Sequence, residues 1–163
     1  MKYIVGIDPG NTYTGFCICD EDLKPVLFGK QANEFVYLRL VEFMSDHPGD
    51  TFEYAIEMIA SYGMPVGREV FETVRWIGIL GERLRLVWNI EAVDIYRKDE
   101  KMAICHSQKA NDATIRQALV DRFAYNVPNK GKGTKKEPGW FYGFRADVWQ
   151  AYAVAVTYHD RKG

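Results

Sequence analysis

Cysteine and histidine are scarce in this 163-residue chain, with three of each. Three cysteines cannot all pair, so no disulfide framework is expected, and no Cys/His grouping offers a zinc site. Cys17 and Cys19, two apart in an apolar run, would share one face of a strand as small core residues. Long apolar runs are also missing. Nothing approaches the roughly 18 consecutive apolar residues of a membrane helix, and the opening apolar run meets Asp8 too early for a secretory signal. A cytoplasmic protein without a membrane partner is the expectation.

Net charge is nearly absent too, at -1, which excludes a globally basic or acidic chain. The balance is uneven along the sequence. Residues 1–96 carry 8 Lys+Arg against 15 Asp+Glu, a net of -7, whereas residues 97–163 carry 13 against 7, a net of +6. A basic C-terminal part on an ordinary protein is one footprint of a polyanion-binding face; a merely solvated surface is the other reading. What is plentiful is apolar residues, 47%, with 14% aromatics. That is enough for a single domain over residues 1–163 to bury a core unaided.

Residues 2–8 and 13–19 read as strands, and the Pro9-Gly10-Asn11 between them is turn chemistry, so a hairpin presents Asp8 at a strand end. A third run at 25–30 completes an antiparallel meander. Helical spacing of Phe35, Leu38, Leu40, Val41 and Met44 predicts a helix over 33–46. Residues 52–59 read as a buried strand with Glu57 near its end. A stripe of Val70, Val74, Ile77, Leu80, Leu84 and Val87 predicts a long helix over 68–88. A short strand at 90–96 follows, then helices at 109–124 and 145–159. The segment 129–139, with four lysines and three glycines but no apolar anchor, is expected to be a mobile basic loop.

Asp8, Glu57 and Asp147 each lie in or beside an apolar element. An unpaired carboxylate there costs roughly several kcal/mol unless a cation or hydrogen bonds compensate it. Hard carboxylate oxygens suit Mg²⁺, with Mn²⁺ as the alternative, and two such ions can activate water and stabilise a leaving oxygen in phosphodiester cleavage. A solvated or capping carboxylate is the bland reading of each.

Three segments, taken in order, carry a family resemblance. Gly6-Ile7-Asp8-Pro9-Gly10-Asn11-Thr12-Tyr13-Thr14-Gly15-Phe16, Ile56-Glu57-Met58, and Arg145-Ala146-Asp147-Val148-Trp149-Gln150-Ala151 resemble the first strand, second acidic strand and final helix of RuvC-type Holliday junction resolvases. The stretches from Glu57 to Met64 and from Asp147 to Ala151 look most like the bacteriophage branch, which would place the protein in a bacterial host cytoplasm. The resemblance implies an α/β, ribonuclease-H-like fold: a five-stranded mixed sheet flanked by helices. It also implies a metal-dependent endonuclease that cuts Holliday junctions, and other branched DNA such as forks and flaps, as a homodimer.

By this resemblance Asp8, Glu57 and Asp147 are metal ligands. The chain departs from the bacterial pattern at Gln150, where a second acid is expected three residues after Asp147. Gln150 shares the helix face of Asp147 and can offer a neutral oxygen to a metal, or serve only as a structural amide. Lys98, Lys101, Lys109, Arg116, Lys130, Lys132, Lys135, Lys136 and Arg145 are candidate phosphate contacts, with Lys109 or Lys101 placed near the scissile phosphate. Tyr62 or Met64, on the loop after Glu57, suits an unstacking wedge at the junction centre; the alternative is that both pack under the next helix. Two rivals stand beside this reading. One is a nucleotide-binding protein of the actin and sugar-kinase type, which needs two such domains. The other is a branched-DNA-binding module that has lost cleavage through Gln150.

Overall fold

The computed structural model describes residues 1–163. Its strands are β1 (Lys2–Asp8), β2 (Tyr13–Cys19), β3 (Pro25–Ala32), β4 (Thr51–Met58) and β5 (Val93–Tyr96). They form one sheet in the order β3-β2-β1-β4-β5. The meander β1-β2-β3 is antiparallel, and β4 and β5 add in parallel. The helices are α1 (Asn33–Ser45), α2 (Arg68–Trp88), α3 (Arg97–Cys105), α4 (Asp112–Phe123) and α5 (Ala146–Lys162). This is the five-stranded mixed sheet with flanking helices that the sequence led us to expect, and no helix is long and apolar enough to cross a membrane.

The two faces of the sheet follow from side-chain alternation. On β1, Tyr3, Val5 and Ile7 join Val36, Leu40, Ile77, Leu80 and Leu84 in the core under α1 and α2. Ile4 points the other way, into the core with Cys17, Cys19, Phe141, Trp149 and Tyr152 beneath α4 and α5. The same parity carries Gly6 and Asp8 to the α5 side. On β4, Tyr54 and Ile56 face α2, while Ala55 packs with Val154 of α5, so Glu57 also belongs to the α5 side.

Two glycines let α5 lie directly on the sheet. A Cβ on Gly6 would come within 2.0 Å of the Ala151 carbonyl oxygen, and one on Gly15 within 2.8 Å of the Asp147 carbonyl oxygen. Gly15 is paired with Asp8 across the hairpin. That close approach sets the first turn of α5, with Asp147, beside the end of β1. Gly6→Ala should therefore destabilise the protein by about 3 kcal/mol, the upper end for an overpacked core, read as a lower urea midpoint. An unchanged midpoint would mean that α5 does not sit this close.

The β1–β2 turn is held by a chain of side-chain bonds. Trp76 Nε1 donates to Thr14 Oγ1 (2.9 Å), Thr14 donates to Asn33 Oδ1 (2.7 Å), and Asn33 Nδ2 donates to the Gly10 carbonyl (2.8 Å). Asp8 thus ends a strand whose following turn is pinned to α1 and α2.

Some expectations need correction. Helix α3 is absent from the sequence reading because Glu100 is its only buried residue, leaving no apolar period to detect. On α1 the core face is Val36, Leu40 and Met44, while Phe35 and Leu38 are exposed. On α2, Thr73 and Trp76 take core positions, and Val74 and Val87 face outward. Residues 129–139 do have an anchor: Gly131 is buried against Ala124 and Phe141, in a 3-10 turn Asn129–Gly131 followed by a Gly133–Pro138 bridge.

Candidate active site

The parallel strands β1 and β4 end side by side, which places Asp8 and Glu57 together. The chain leaving β5 enters α3 at once, and one helical turn brings Glu100 to the same point. Glu100 is fully buried and its Oε2 has no partner. Asp147 in the first turn of α5 completes the group from across the α5–sheet contact.

These charges repel. Burial, then the charges of Glu57 and Asp147, push the Asp8 carboxyl up to about 8. Burial, then Glu57, push Glu100 up to about 9. Burial also raises Glu57, partly offset by Arg97. In the absence of other cations, protons make up what Arg97 cannot.

Arg97, the first residue of α3, is the one guanidinium within this group. Its Nη1 donates to Gln150 Oε1 (3.0 Å) and to Glu100 Oε1 (3.3 Å), and its Nη2 ion-pairs with Asp112 at the start of α4. Gln150 Nε2 donates to Asp112 Oδ1 (2.9 Å). Both polar ends of Gln150 are therefore engaged within the protein. Asp147 is half-exposed and paired with Lys30 Nζ at 2.8 Å, since β3 places Lys30 opposite Gly15.

Asp8 and Asp147 stand between two clefts. One, of about 290 Å³, runs between α4 and α5 and is lined also by Asp112, Arg116, Trp149 and Gln150. The other, of about 390 Å³, lies over the β1–β2 turn, with Asn11, Tyr13 and Lys30 in its wall. A larger cavity of about 700 Å³ between α3, α4 and the end of α5 touches none of the four carboxylates; chemistry, not size, selects the site.

The donor set suits an oxygen-coordinated divalent cation. It is all carboxylate, carries more negative charge than Arg97 and Lys30 offset, and includes the orphaned Glu100 Oε2. No three of these groups converge into a ready cage as they stand. Asp8, Glu57, Glu100 and Asp147 are the residues that would hold such an ion.

Of the basic residues singled out in the sequence, Arg116 lines the α4–α5 cleft and Arg145 the groove beside Asp147 and Lys30. Arg116 lies over the Trp149 ring, 5.7 Å from its centroid. Lys98, Lys109, Lys130, Lys135 and Lys136 are exposed, and Lys101 and Lys132 half-buried. Lys101 and Lys109 line neither cleft beside Asp8. Tyr62 and Met64 are 66% and 71% exposed, so they do not pack under α2.

Sequence reasoning missed Lys30, Arg97, Glu100 and Asp112. A local signal for α3 exists: Asp99 accepts from the Tyr96 backbone N–H (2.9 Å), and Asp99 and Glu100 together give the acidic first turn of a helix start. Nothing local distinguishes Arg97 from its neighbouring lysine.

No protein-family model matches this chain, and no curated protein matches it in sequence. Solved structures do match it. The Thermus thermophilus RuvC structure superposes with a TM-score of 0.70 at 14% identity, covering 98% of this chain and 95% of RuvC. T. thermophilus RuvC in complex with a Holliday junction substrate superposes at 0.67, again at 14% identity, covering 100% of this chain and 97% of that one. The fold is thus the ribonuclease-H-like fold of RuvC over its full length.

Proposed function

We propose that this protein is a divalent-metal-dependent endonuclease that hydrolyses phosphodiester bonds in branched DNA, Holliday junctions foremost and forks and flaps besides. One observation carries this reading. Asp8, Glu57, Glu100 and Asp147, drawn from four separate elements, meet as mutually repelling carboxylates at the end of β1 and β4. The match to a RuvC bound to a Holliday junction supports the choice of substrate. The likeness to the bacteriophage branch gains nothing from it, since the two structures compared above are T. thermophilus proteins.

Mg²⁺ or Mn²⁺ held by these carboxylates would supply the charge needed to activate water and stabilise the leaving oxygen. Arg97 adds positive charge beside the carboxylates and holds Glu100 and Asp112 in place through its ion pairs. Lys30 orients Asp147 through their ion pair. Arg145, Arg116 and the lysines at 98, 101 and 109 hold the backbone on either side, and Tyr62 or Met64 enters the junction centre from its exposed loop. The test is incubation of the protein with a labelled four-way junction in Mg²⁺ and in Mn²⁺, beside fork, flap and duplex controls. Preferential nicking of the branched forms supports the proposal; equal nicking of duplex contradicts it.

A binding module without cleavage is the second reading. It is favoured by Gln150, whose two polar ends are committed to Arg97 and Asp112 rather than turned toward an ion. Junction binding with no nick in either metal would select it.

Neutralising Lys130, Lys132, Lys135 and Lys136 together should weaken junction binding and flatten its salt dependence, by about 0.9 in log–log slope for each phosphate that is no longer neutralised. An unchanged slope would take this loop off the DNA path. Helix α2 leaves Phe71, Ile79 and Leu86 exposed on one side. A homodimer through this helix would give the two symmetric cuts a four-way junction requires. Phe71→Glu with Leu86→Glu should then yield a monomer in sedimentation, and a wild-type monomer would refute the pairing.

A further inference from the structure

We infer that Arg97 occupies the place of a second metal ion, so that this centre binds one divalent cation per chain, held at Asp8. The inference rests on the metal-dependent reading above and goes beyond it in the number of ions and in what replaces the missing one.

Position 150, on the inward face of α5 beside Asp147, carries a neutral amide. A second divalent ion there would have to be held with one carboxylate fewer than a pair of acids on this helix face would provide. The structure places a cation at that spot by other means. Arg97 Nη1 lies 3.0 Å from Gln150 Oε1 and 3.3 Å from Glu100 Oε1, bridging α5 to the buried end of the carboxylate group. An ion would be drawn to these same two oxygens.

The guanidinium is fixed rather than adventitious. Asp112 pairs with its Nη2, and Gln150 Nε2 donates to the same Asp112 carboxylate at 2.9 Å, closing a ring of Arg97, Gln150 and Asp112. Arg97 is only 25% exposed in its side chain, and Glu100 beneath it is fully buried with Oε2 unpartnered. Removing the guanidinium would leave Glu100 and Asp112 without their cation, which favours entry of another one. An arginine also performs part of what an ion does here: it neutralises the carboxylates it touches, and its charge cannot be lost by deprotonation.

Equilibrium binding of Mn²⁺ to the DNA-free protein, by electron paramagnetic resonance of the free ion, tests this. Wild type should bind one Mn²⁺ per chain, Arg97→Met two, and Arg97→Lys, which keeps the charge, one. Two ions in wild type would overturn the inference while leaving the metal-dependent nuclease reading intact. One ion in both wild type and a folded Arg97→Met would overturn it as well. No Mn²⁺ bound at all would overturn both. Should Arg97→Met not fold, the wild-type and Arg97→Lys stoichiometries decide, one ion in each supporting the inference and two in either refuting it.

Discussion

Asp8→Asn is expected to abolish junction cleavage, by at least about 10³-fold, or ~4 kcal/mol of transition-state stabilisation, while junction binding persists. Asp8 lies at the meeting point of Glu57 and Asp147 and lines both clefts. The amide keeps its size and removes its charge, so the fold should be kept while the proposed site loses the carboxylate at its centre. The same substitution should raise the melting temperature of the metal-free protein, because it relieves like-charge repulsion within a buried group. Lost cleavage with lost stability would point instead to a structural Asp8. Cleavage that survives would remove Asp8 from the chemistry.

The second large effect concerns stability without divalent ions. Asp8 is held up to about 8 by burial and then by Glu57 and Asp147; Glu100 is held up to about 9 by burial and then by Glu57. A carboxyl whose pKa is higher in the folded chain binds its proton more tightly there. Its contribution is complete below the unfolded pKa of about 4 and is lost as pH rises through the folded value. The metal-free protein should therefore lose stability between pH about 4 and about 9. At 1.36 kcal/mol per pKa unit, a rise of about four units in either one of the two groups corresponds to a loss on the order of 5 kcal/mol, a melting temperature lower by ~10 °C or more.

Glu53 and Asp160 work in the opposite direction. Burial opposes their ionisation, but hydrogen bonds from Lys162 and Lys2 to Glu53, and from Arg122 and His159 to Asp160, outweigh it and hold both below the ordinary carboxylate value. Their contribution is present above that value and lost as pH falls. Millimolar Mn²⁺ at pH 9 should restore much of the melting temperature by binding only the folded chain, and Glu100→Gln should flatten the alkaline decline. A melting temperature constant from pH 5 to 9 would mean that the carboxylates are already compensated.

The parts of this molecule legible in its sequence are those whose signals are local. Pro9-Gly10-Asn11 marks the turn after Asp8, and the structure ends β1 there. The period through Ile77, Leu80 and Leu84 and the loop before it bound α2, which runs over Arg68–Trp88 as expected. The helix expected over 145–159 is α5, whose buried Val148, Ala151, Val154 and Ala155 include residues small enough to lie on Gly6 and Gly15.

What was not legible is tertiary. On α1 the spacing admits two neighbouring faces, and only the sheet selects Val36 over Phe35 and Leu38. Glu100 reads as one more charge in Arg97-Lys98-Asp99-Glu100-Lys101, and its burial arises because the parallel β4–β5 pairing directs α3 under Glu57. Asp112 reads as a helix-start acid and becomes part of the site only because α4 docks beside α5. Gln150 was visible as a departure; that its amide is held between Arg97 and Asp112 was not.

The central claim is that these carboxylates cut branched DNA, and mapping strand cleavage on a labelled synthetic four-way junction in Mg²⁺ and Mn²⁺ tests it most directly. Paired nicks near the branch point, dependent on the metal and absent with Asp8→Asn, are the predicted result. Tight junction binding with both strands intact in every divalent metal would contradict it.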